Sequence, residues 1–240
     1  KLSFNNPPPE TLALMKLMDQ IKPSFMYSLH NAGFCGVYYY VSHEVQSMFP
    51  SFIKLVEEEE LPIHEGEPEV PYIKQLQPAM FQMFGIQENY DFYEENKVEN
   101  PEELIKCGTS SDDYLKRITN GKGFTLVCEM PYFYDKVLGD HSQSEYDRRD
   151  EFLGSLEFYK EAHSFTKPRF ESIRSFCNPS SKIFISVEDS IKFFDGRIAP
   201  QIHHAKTSPM YEGKATKAQA FDSMVARKYY AVFRTAMTAR

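Results

Sequence analysis

The chain has 240 residues, of which 42% are hydrophobic and 25% charged, and this ordinary globular composition excludes wholesale disorder. Its formal net charge of -7 argues against a nucleic-acid partner, since neutralising phosphates requires clustered Lys and Arg. No stretch approaches the roughly 20 apolar residues of a membrane span, so no membrane partner is expected. Four cysteines without C-x-x-C spacing are too sparse for a disulfide scaffold and favour a reducing, cytoplasmic setting.

A helix is predicted directly after the proline run at Pro7–Pro9. Proline is tolerated in the first turn of a helix, and Glu10 suits the positive amino-terminal end. The apolar residues Leu12, Met15 and Ile21 share one broad face. We therefore expect this helix to pack on a sheet, as in an α/β layer fold.

The run from Ser24 to Ser42 predicts two buried strands, SFMYSL and GVYYYVS, joined by a polar turn that carries His30. His30 would then lie at the end of a strand. In open α/β sheets the crevice outside the carboxyl ends of the strands binds ligands, and an imidazole there could bind a metal or transfer a proton. The alternative is a histidine whose ring is satisfied by a turn carbonyl.

Between the strands and residue 100 the sequence is less regular. A helix is predicted to be interrupted or to begin near Pro50. His64 and Glu67 form an H-x-x-E in a segment with Gly66 and flanking prolines, which predicts a turn or a polar rim rather than a metal site. Gln75 to Asn100 is interpreted as irregular structure.

The segment CGTSSDDYLKRI predicts a short helix running through Tyr114 to Ile118. Thr109, Ser110 or Ser111 could cap it, and acidic residues are favourable in its first turn.

Phe124 to Pro131, FTLVCEMP, predicts another buried strand that carries Glu129 near its carboxyl end. Carboxylates are rarely buried without a partner or a task. A strand-end histidine and a strand-end glutamate are what a metal-assisted hydrolase needs, as a metal ligand and as a general base.

From Asp140 onward the sequence is predicted to be helical. His163 shares a helical face with apolar residues and is expected to be a core or interface histidine. Pro168 is expected to break this helix, and His203 and His204 are placed between helices. We therefore predict two domains, 1–139 and 140–240, the second a helical extension packed on the first.

The order PSFMYSLHNAG, CGTSSDDY, FTLVCEMP resembles the second half of a zinc metallocarboxypeptidase of the carboxypeptidase A class, over roughly Asn5 to Asp135. The resemblance implies an α/β fold with a mixed, mostly parallel sheet flanked by helices, incomplete at the amino end. It implies one zinc ion, with His30 as the third ligand and Glu129 as the general base.

The resemblance also implies a substrate site. Asn31 would contact the substrate backbone, and an acidic pocket segment would attract a positively charged group; plain helix capping is the alternative for that segment. Its residues are Gly108, Thr109, Ser110, Ser111, Asp112 and Asp113.

The family's other two zinc ligands, an H-x-x-E pair upstream of the third, and the arginines that follow them have no match before His30. We therefore expect a truncated or processed chain whose zinc site is completed by an upstream segment, and which is inactive alone. The expected function is hydrolysis of the C-terminal peptide bond of peptides. The alternatives are a zinc amidohydrolase that deacylates small N-acyl amino acids and a non-catalytic binding or scaffold domain; the oligomeric state is open.

Overall fold

The computed structural model describes residues 7–105 and 108–238. The chain divides into two compact units, Lys1–Gly139 and Asp140–Arg240. The helices and strands of the first unit, in chain order, are α1 (Pro9–Ile21), β1 (Phe25–Phe34), β2 (Tyr38–Val41), α2 (Phe49–Glu58), β3 (Gln75–Gln77), β4 (Met80–Gln82), α3 (Ile86–Glu95), α4 (Pro101–Leu104), α5 (Ser111–Thr119) and β5 (Phe124–Phe133).

The first unit is built on one five-stranded sheet in the order β1-β5-β2-β4-β3. The pairs β1/β5 and β2/β4 are parallel, whereas β2/β5 and β3/β4 are antiparallel. The prediction of an α/β fold with a mixed sheet flanked by helices is confirmed. Two strand pairs of this sheet are thus parallel and two antiparallel, so the predicted mostly parallel sheet is not confirmed.

Both faces of this sheet are covered by apolar side chains, because successive residues of a strand point to opposite faces. On one face Tyr39, Val41, Leu126 and Cys128 pack against Phe49, Phe52 and Val56, the buried face of α2. On the other face Tyr38, Tyr40 and Val127 pack with Cys35, Ala79 and Phe81. We call this second surface the tyrosine face of the sheet, defined by Tyr38 and Tyr40.

Helix α1 differs from the prediction in its packing. Within the described chain only Met18 of this helix is buried, whereas Leu12, Leu14 and Ile21 are about half exposed. A tertiary hydrogen bond joins the helix to α5, where the Tyr114 hydroxyl donates to Asp19 at 2.9 Å. The apolar pattern therefore predicted the helix correctly but not the surface on which it packs.

The stretch Gln75 to Asn100 is regular, which corrects the sequence interpretation. It contains β3, β4 and α3, and the side chain of Glu88 accepts the backbone N–H of Gly85 at the start of α3. Phe92 and Tyr93 are buried on this helix. The helix was missed because its sequence, IQENYDFYEE, mixes aromatic and acidic residues without a clean apolar period.

The second unit is mainly helical, as predicted. Its elements are β6 (Gln143–Asp147), α6 (Arg148–Ile173), α7 (Lys182–Thr207), β7 (Lys214–Thr216), α8 (Lys217–Phe221), a π-helical turn (Asp222–Ala226) and α9 (Arg227–Thr238). The strands β6 and β7 pair in antiparallel fashion. Among the described helices of the chain, none is both long and apolar enough to cross a membrane.

Two prolines lie inside the long helices of this unit, although Pro168 was expected to break its helix. Helix α6 continues through Pro168 to Ile173, and helix α7 continues through Pro200. His203 and His204, predicted to lie between helices, are therefore near the end of α7. His163 is on α6, where its Nε2 lies 2.9 Å from Oδ1 of Asp195.

The amino-terminal end of α6 is capped by Asp147, whose carboxylate accepts the backbone N–H groups of Arg149 and Asp150 at 3.1 and 3.2 Å. We expect Asp147→Ala to lower the free energy of unfolding of this unit by about 1 kcal/mol, because two backbone donors lose their acceptor. Asp147→Asn keeps an oxygen at the same place and serves as the control. Urea unfolding followed by far-ultraviolet circular dichroism measures both, and equal stability of the Ala and Asn variants would contradict the capping role.

Candidate functional site

Two candidate site residues from distant parts of the sequence lie together on the sheet. His30 on β1 and Glu129 on β5 are direct register partners of a parallel strand pair. Their side chains therefore point to the same face, and Nδ1 of His30 lies 2.9 Å from Oε1 of Glu129. The His30 side chain is 62% exposed and the Glu129 side chain only 7%. The pair thus joins a buried carboxylate to an imidazole that is open to solvent.

The position of the pair within the strands differs from the prediction. The segment HNAG was expected to be a polar turn, but β1 runs without a break from Phe25 to Phe34. His30 is therefore in the middle of a strand, and Glu129 is likewise the sixth residue of the ten in β5. Pairing with β5 extends as far as Phe34 and Phe133, which keeps the polar segment extended. The predicted location at two strand ends is wrong, although the predicted adjacency of the two residues is found.

A third residue continues this row across the sheet. Tyr38 on β2 is the antiparallel register partner of Glu129, so His30, Glu129 and Tyr38 lie side by side on three neighbouring strands. The hydroxyl of Tyr38 donates to Oε2 of Glu69 at 3.2 Å, and the hydroxyl of Tyr40 donates to the same oxygen at 2.6 Å. Glu69 lies in the loop before β3. Its carboxylate, together with that of Glu129, is the second on the tyrosine face.

The surroundings of Glu129 favour its protonated form. Burial raises the pKa of Glu129 above its usual range, and the negative charge of Glu69 raises it further, whereas the neighbouring His30 opposes both effects. Burial and the nearby carboxylates, Glu69 foremost, likewise raise the pKa values of Tyr38 and Tyr40, so both hydroxyls are protonated donors. A raised carboxyl pKa is typical of groups that exchange protons in active sites.

The hydrogen bond of the pair also decides which nitrogen of His30 remains available. If Nδ1–H donates to the carboxylate, Nε2 carries the lone pair that could bind a metal. Histidines that ligate metals commonly donate their other nitrogen to a carboxylate in this way, which fixes the tautomer and the orientation of the ring. The arrangement therefore matches an orienting role of Glu129, and its role as a base stays a prediction.

Asn31, predicted to contact substrate beside His30, does not share its face. It is in register with Met130, and Met130 packs against the apolar cluster on the α2 side of the sheet. Since neighbouring residues of a strand alternate, the side chain of Asn31 points away from the face that carries His30 and Glu129.

The predicted pocket segment, Gly108 to Asp113, is engaged in forming α5. Ser110 is the N-cap residue and accepts the N–H of Asp113 at 3.2 Å, while the Asp113 carboxylate accepts the N–H of Ser110 and the hydroxyl of Thr109. The helix itself begins at Ser111. The capping prediction is therefore confirmed.

Asp112 in the same segment is buried and lies 2.6 Å from Nζ of Lys116, one turn further along the helix. Within residues 7–105 and 108–238, no hydrogen bond or ion pair joins Gly108 to Asp113 to His30 or Glu129. The structure therefore supports the capping alternative for this segment and does not assemble it with the pair.

His64, the histidine of the H-x-x-E sequence, has both ring nitrogens occupied. The N–H of Gly36 donates to Nδ1 at 3.3 Å, so Nε2 carries the proton and donates it to the carbonyl of Glu67 at 2.8 Å. His64 is buried, and backbone hydrogen bonds of 2.8 and 2.9 Å join its segment to Val37, the residue just before β2. The prediction that this sequence is a structural segment rather than a metal site agrees with these bonds.

The metal-ligating side chains of the described residues do not make a complete metal site. Within that part of the chain, no group of three or more His, Cys, Asp or Glu side chains could hold a metal ion. His30 and Glu129 supply two such side chains at most, whereas a catalytic zinc site uses three protein ligands. Zinc therefore does not fit the described residues taken alone.

Comparisons with protein-family models, with curated proteins and with solved structures found no match to this chain.

Sequence reasoning missed Tyr38, Tyr40 and Glu69. The alternation in the run GVYYYVS could have placed Tyr38 and Tyr40 on one face and Tyr39 on the other. No sequence pattern near Glu69 predicts its contact with the tyrosines, because Glu69 belongs to a loop that the tertiary fold brings to them.

Proposed function

We propose that the first unit is part of the catalytic unit of a zinc-dependent metallocarboxypeptidase, which hydrolyses the C-terminal peptide bond of peptides. The observation that supports the proposal most is the contact between His30 and Glu129, whose side chains come from strands about a hundred residues apart and share one face. The carboxypeptidase-like fold and the peptide substrate belong to the proposal, as does a cytoplasmic setting.

In this proposal His30 is one zinc ligand, and the remaining ligands come from residues outside the described part of the chain. Bound zinc would polarise the scissile carbonyl and lower the pKa of a water. Glu129 takes a proton from the attacking water and passes it to the leaving amine, a role for which its raised pKa is suitable. His30 also holds the Glu129 carboxylate in place through their 2.9 Å contact. The proposal does not rely on Gly108 to Asp113, whose bonds form the cap of α5.

The proposal is tested by incubating the intact protein with peptides and measuring the amino acids released. We expect release of one residue from the C-terminus, loss of this release after treatment with a zinc chelator, and recovery on addition of zinc. Small N-acyl amino acids are the matched alternative substrates: deacylation of these without release of C-terminal residues would favour an amidohydrolase.

The 240-residue chain alone provides a second arm of the same test. We expect it to bind zinc weakly in a calorimetric titration and to release no amino acids from peptides, because one imidazole and one carboxylate cannot hold zinc tightly. Tight zinc binding together with peptidase activity of this chain would contradict the assignment of the remaining ligands to other residues.

A further inference from the structure

A groove of about 470 Å³ lies between helices α6 and α9 of the second unit. Its walls are apolar and are formed by Phe158, Ala162 and Phe165 of α6 and by Val232 and Ala236 of α9. Phe165 is 52% exposed and Val232 is 55% exposed. Large apolar side chains that meet water at one place commonly mark a binding site. The volume also falls in the range of small-molecule sites.

The threonines of the groove do not make it polar. Thr166, Thr235 and Thr238 line it, and each hydroxyl donates to the backbone carbonyl four residues earlier, at 2.7, 3.0 and 3.3 Å. The hydroxyl oxygens of Thr166 and Thr235 also lie 3.1 Å apart. A hydroxyl has one proton, and these protons are used within the two helices. A molecule in the groove therefore has to be apolar along most of its length.

The dimensions of the groove favour a narrow, extended molecule. Its lining on α6 runs from Phe158 to Arg169, which is about 16 Å at the helical rise per residue. Dividing the volume by this length gives a mean cross-section of about 30 Å². This is room for one extended hydrocarbon chain but not for two side by side.

One end of the groove is positively charged. Among the residues that the structure describes, Arg169 is the one charged side chain in the lining. Its Nη1 donates to the carbonyl of Phe165 at 2.7 Å, and its Cζ lies 3.5 Å from the centroid of the Phe165 ring. Within residues 7–105 and 108–238, no carboxylate forms an ion pair with Arg169. The other N–H donors of this guanidinium can therefore bind the anionic end of a ligand.

We propose that this groove binds a free aliphatic carboxylate with a single unbranched chain. The chain lies along the apolar walls, and the carboxylate pairs with Arg169. Binding removes the exposed faces of Phe165 and Val232 from water. The site lies wholly within the second unit, so it does not rest on the proposed peptidase function.

The proposal is tested by calorimetric titration of the 240-residue chain with decanoate, whose chain is short enough to lie within the groove. We expect saturable binding at one site. Decanol, which has the same chain without the charge, should bind about 10-fold more weakly, the usual effect of losing a charge-assisted hydrogen bond. Decyltrimethylammonium should bind more weakly still. Absence of saturable binding, or equal affinity for decanoate and decyltrimethylammonium, would overturn the proposal.

Two charge variants test the contact with the carboxylate. Arg169→Gln should weaken decanoate binding about 10-fold and leave decanol binding within about 2-fold of wild type. Lys228→Gln is the matched control, because Nζ of Lys228 lies 5.7 Å from the ring of Phe158, at the other end of the groove. It should change decanoate binding by less than about 2-fold. An Arg169→Gln variant that binds decanoate like wild type, or a Lys228→Gln variant that weakens it equally, would place the carboxylate elsewhere and refute the assignment.

A third variant tests the groove itself. Ala236→Phe fills it and should weaken decanoate and decanol alike, by about 10-fold or more. Ala199→Phe, at an exposed alanine of α7, is the control and should change neither affinity. Circular dichroism checks that the variants are folded. If Ala236→Phe does not fold, the comparison of Arg169→Gln with Lys228→Gln still decides the proposal.

Other occupants of the groove give different results. A dimer in analytical ultracentrifugation that Ala236→Phe, but not Ala199→Phe, converts to a monomer would show that a second copy of the chain covers the groove. Co-sedimentation with phosphatidylcholine vesicles that only Ala236→Phe abolishes would show that the groove meets a lipid surface. Either result would overturn the assignment of a free carboxylate.

Discussion

Replacing Glu129 by Gln in the intact protein should lower kcat for release of a C-terminal residue by about 10²- to 10⁴-fold, the usual contribution of a general acid–base group. Glutamine has nearly the same shape as glutamate but cannot take up the proton of the attacking water. The substrate is bound by other groups, so KM should change little. Steady-state hydrolysis of a peptide, with Glu99→Gln as the control for a distant exposed glutamate, measures the effect.

Zinc affinity distinguishes the base role of Glu129 from a role that only orients His30. The amide oxygen introduced by Glu129→Gln can still accept Nδ1–H of His30, so this variant should keep the zinc affinity of the intact protein. Glu129→Ala removes the acceptor, and loss of such a partner typically costs 10- to 100-fold in metal affinity. Unchanged kcat in Glu129→Gln, with reduced affinity in Glu129→Ala, would leave Glu129 as an orienting residue alone. A biological function that survives both substitutions would favour the binding or scaffold role.

The sequence was sufficient to predict that the two candidate residues lie on strands, but not their place in those strands. The runs around His30 and Glu129 are apolar and rich in aromatic or β-branched residues, which predicts strands from local pattern. The HNAG segment has turn-forming composition, and local reasoning ended the strand there. The structure extends it because β5, about a hundred residues later, pairs along its whole length to Phe34. Such non-local pairing overrides a weak local preference and is not visible in a short window.

The long helices of the second unit were shortened in the prediction for a similar reason. A proline removes one backbone hydrogen bond and crowds the preceding turn at a cost of about 3 kcal/mol, so Pro168 was expected to end its helix. Pro200 carries the same local cost in α7. Both helices continue for at least five residues beyond their proline. Phe170 is buried just after Pro168, and Pro200 is itself buried. Tertiary packing of these residues offsets the local cost, and a single sequence does not reveal it.

Gly36 is a position in the first unit at which an added methyl group should strongly lower stability. A Cβ atom built there would lie 2.6 Å from the backbone nitrogen of His64 and 2.7 Å from its Cα. Both are backbone atoms, held by the bonds that tie residues 62 and 64 to Val37, so they cannot move aside like the end of a side chain. Space alone therefore requires glycine here.

We expect Gly36→Ala to lower the free energy of unfolding of the first unit by about 3 kcal/mol, the upper end of the range for overpacked sites. The chain contains no Trp, so urea unfolding is followed by far-ultraviolet circular dichroism. Gly154→Ala in α6, where a Cβ meets nothing within 4 Å, is the matched control. It should stabilise the second unit by about 0.5 to 1 kcal/mol, because alanine is the better helix former.

The same substitution connects stability with the site. Gly36 lies two residues before Tyr38, and its N–H donates to His64. Moving this backbone displaces the start of β2 and, with it, the Tyr38 ring beside Glu129. In nuclear magnetic resonance of ¹⁵N-labelled histidine, the Nδ1 signal of His30 should therefore shift in folded Gly36→Ala. The same signal should remain in place in Gly154→Ala. A Gly36→Ala variant as stable as wild type would show that the backbone of residues 62 to 64 can move to make room for the methyl group. The row of His30, Glu129 and Tyr38 would then not depend on the close contact between Gly36 and His64.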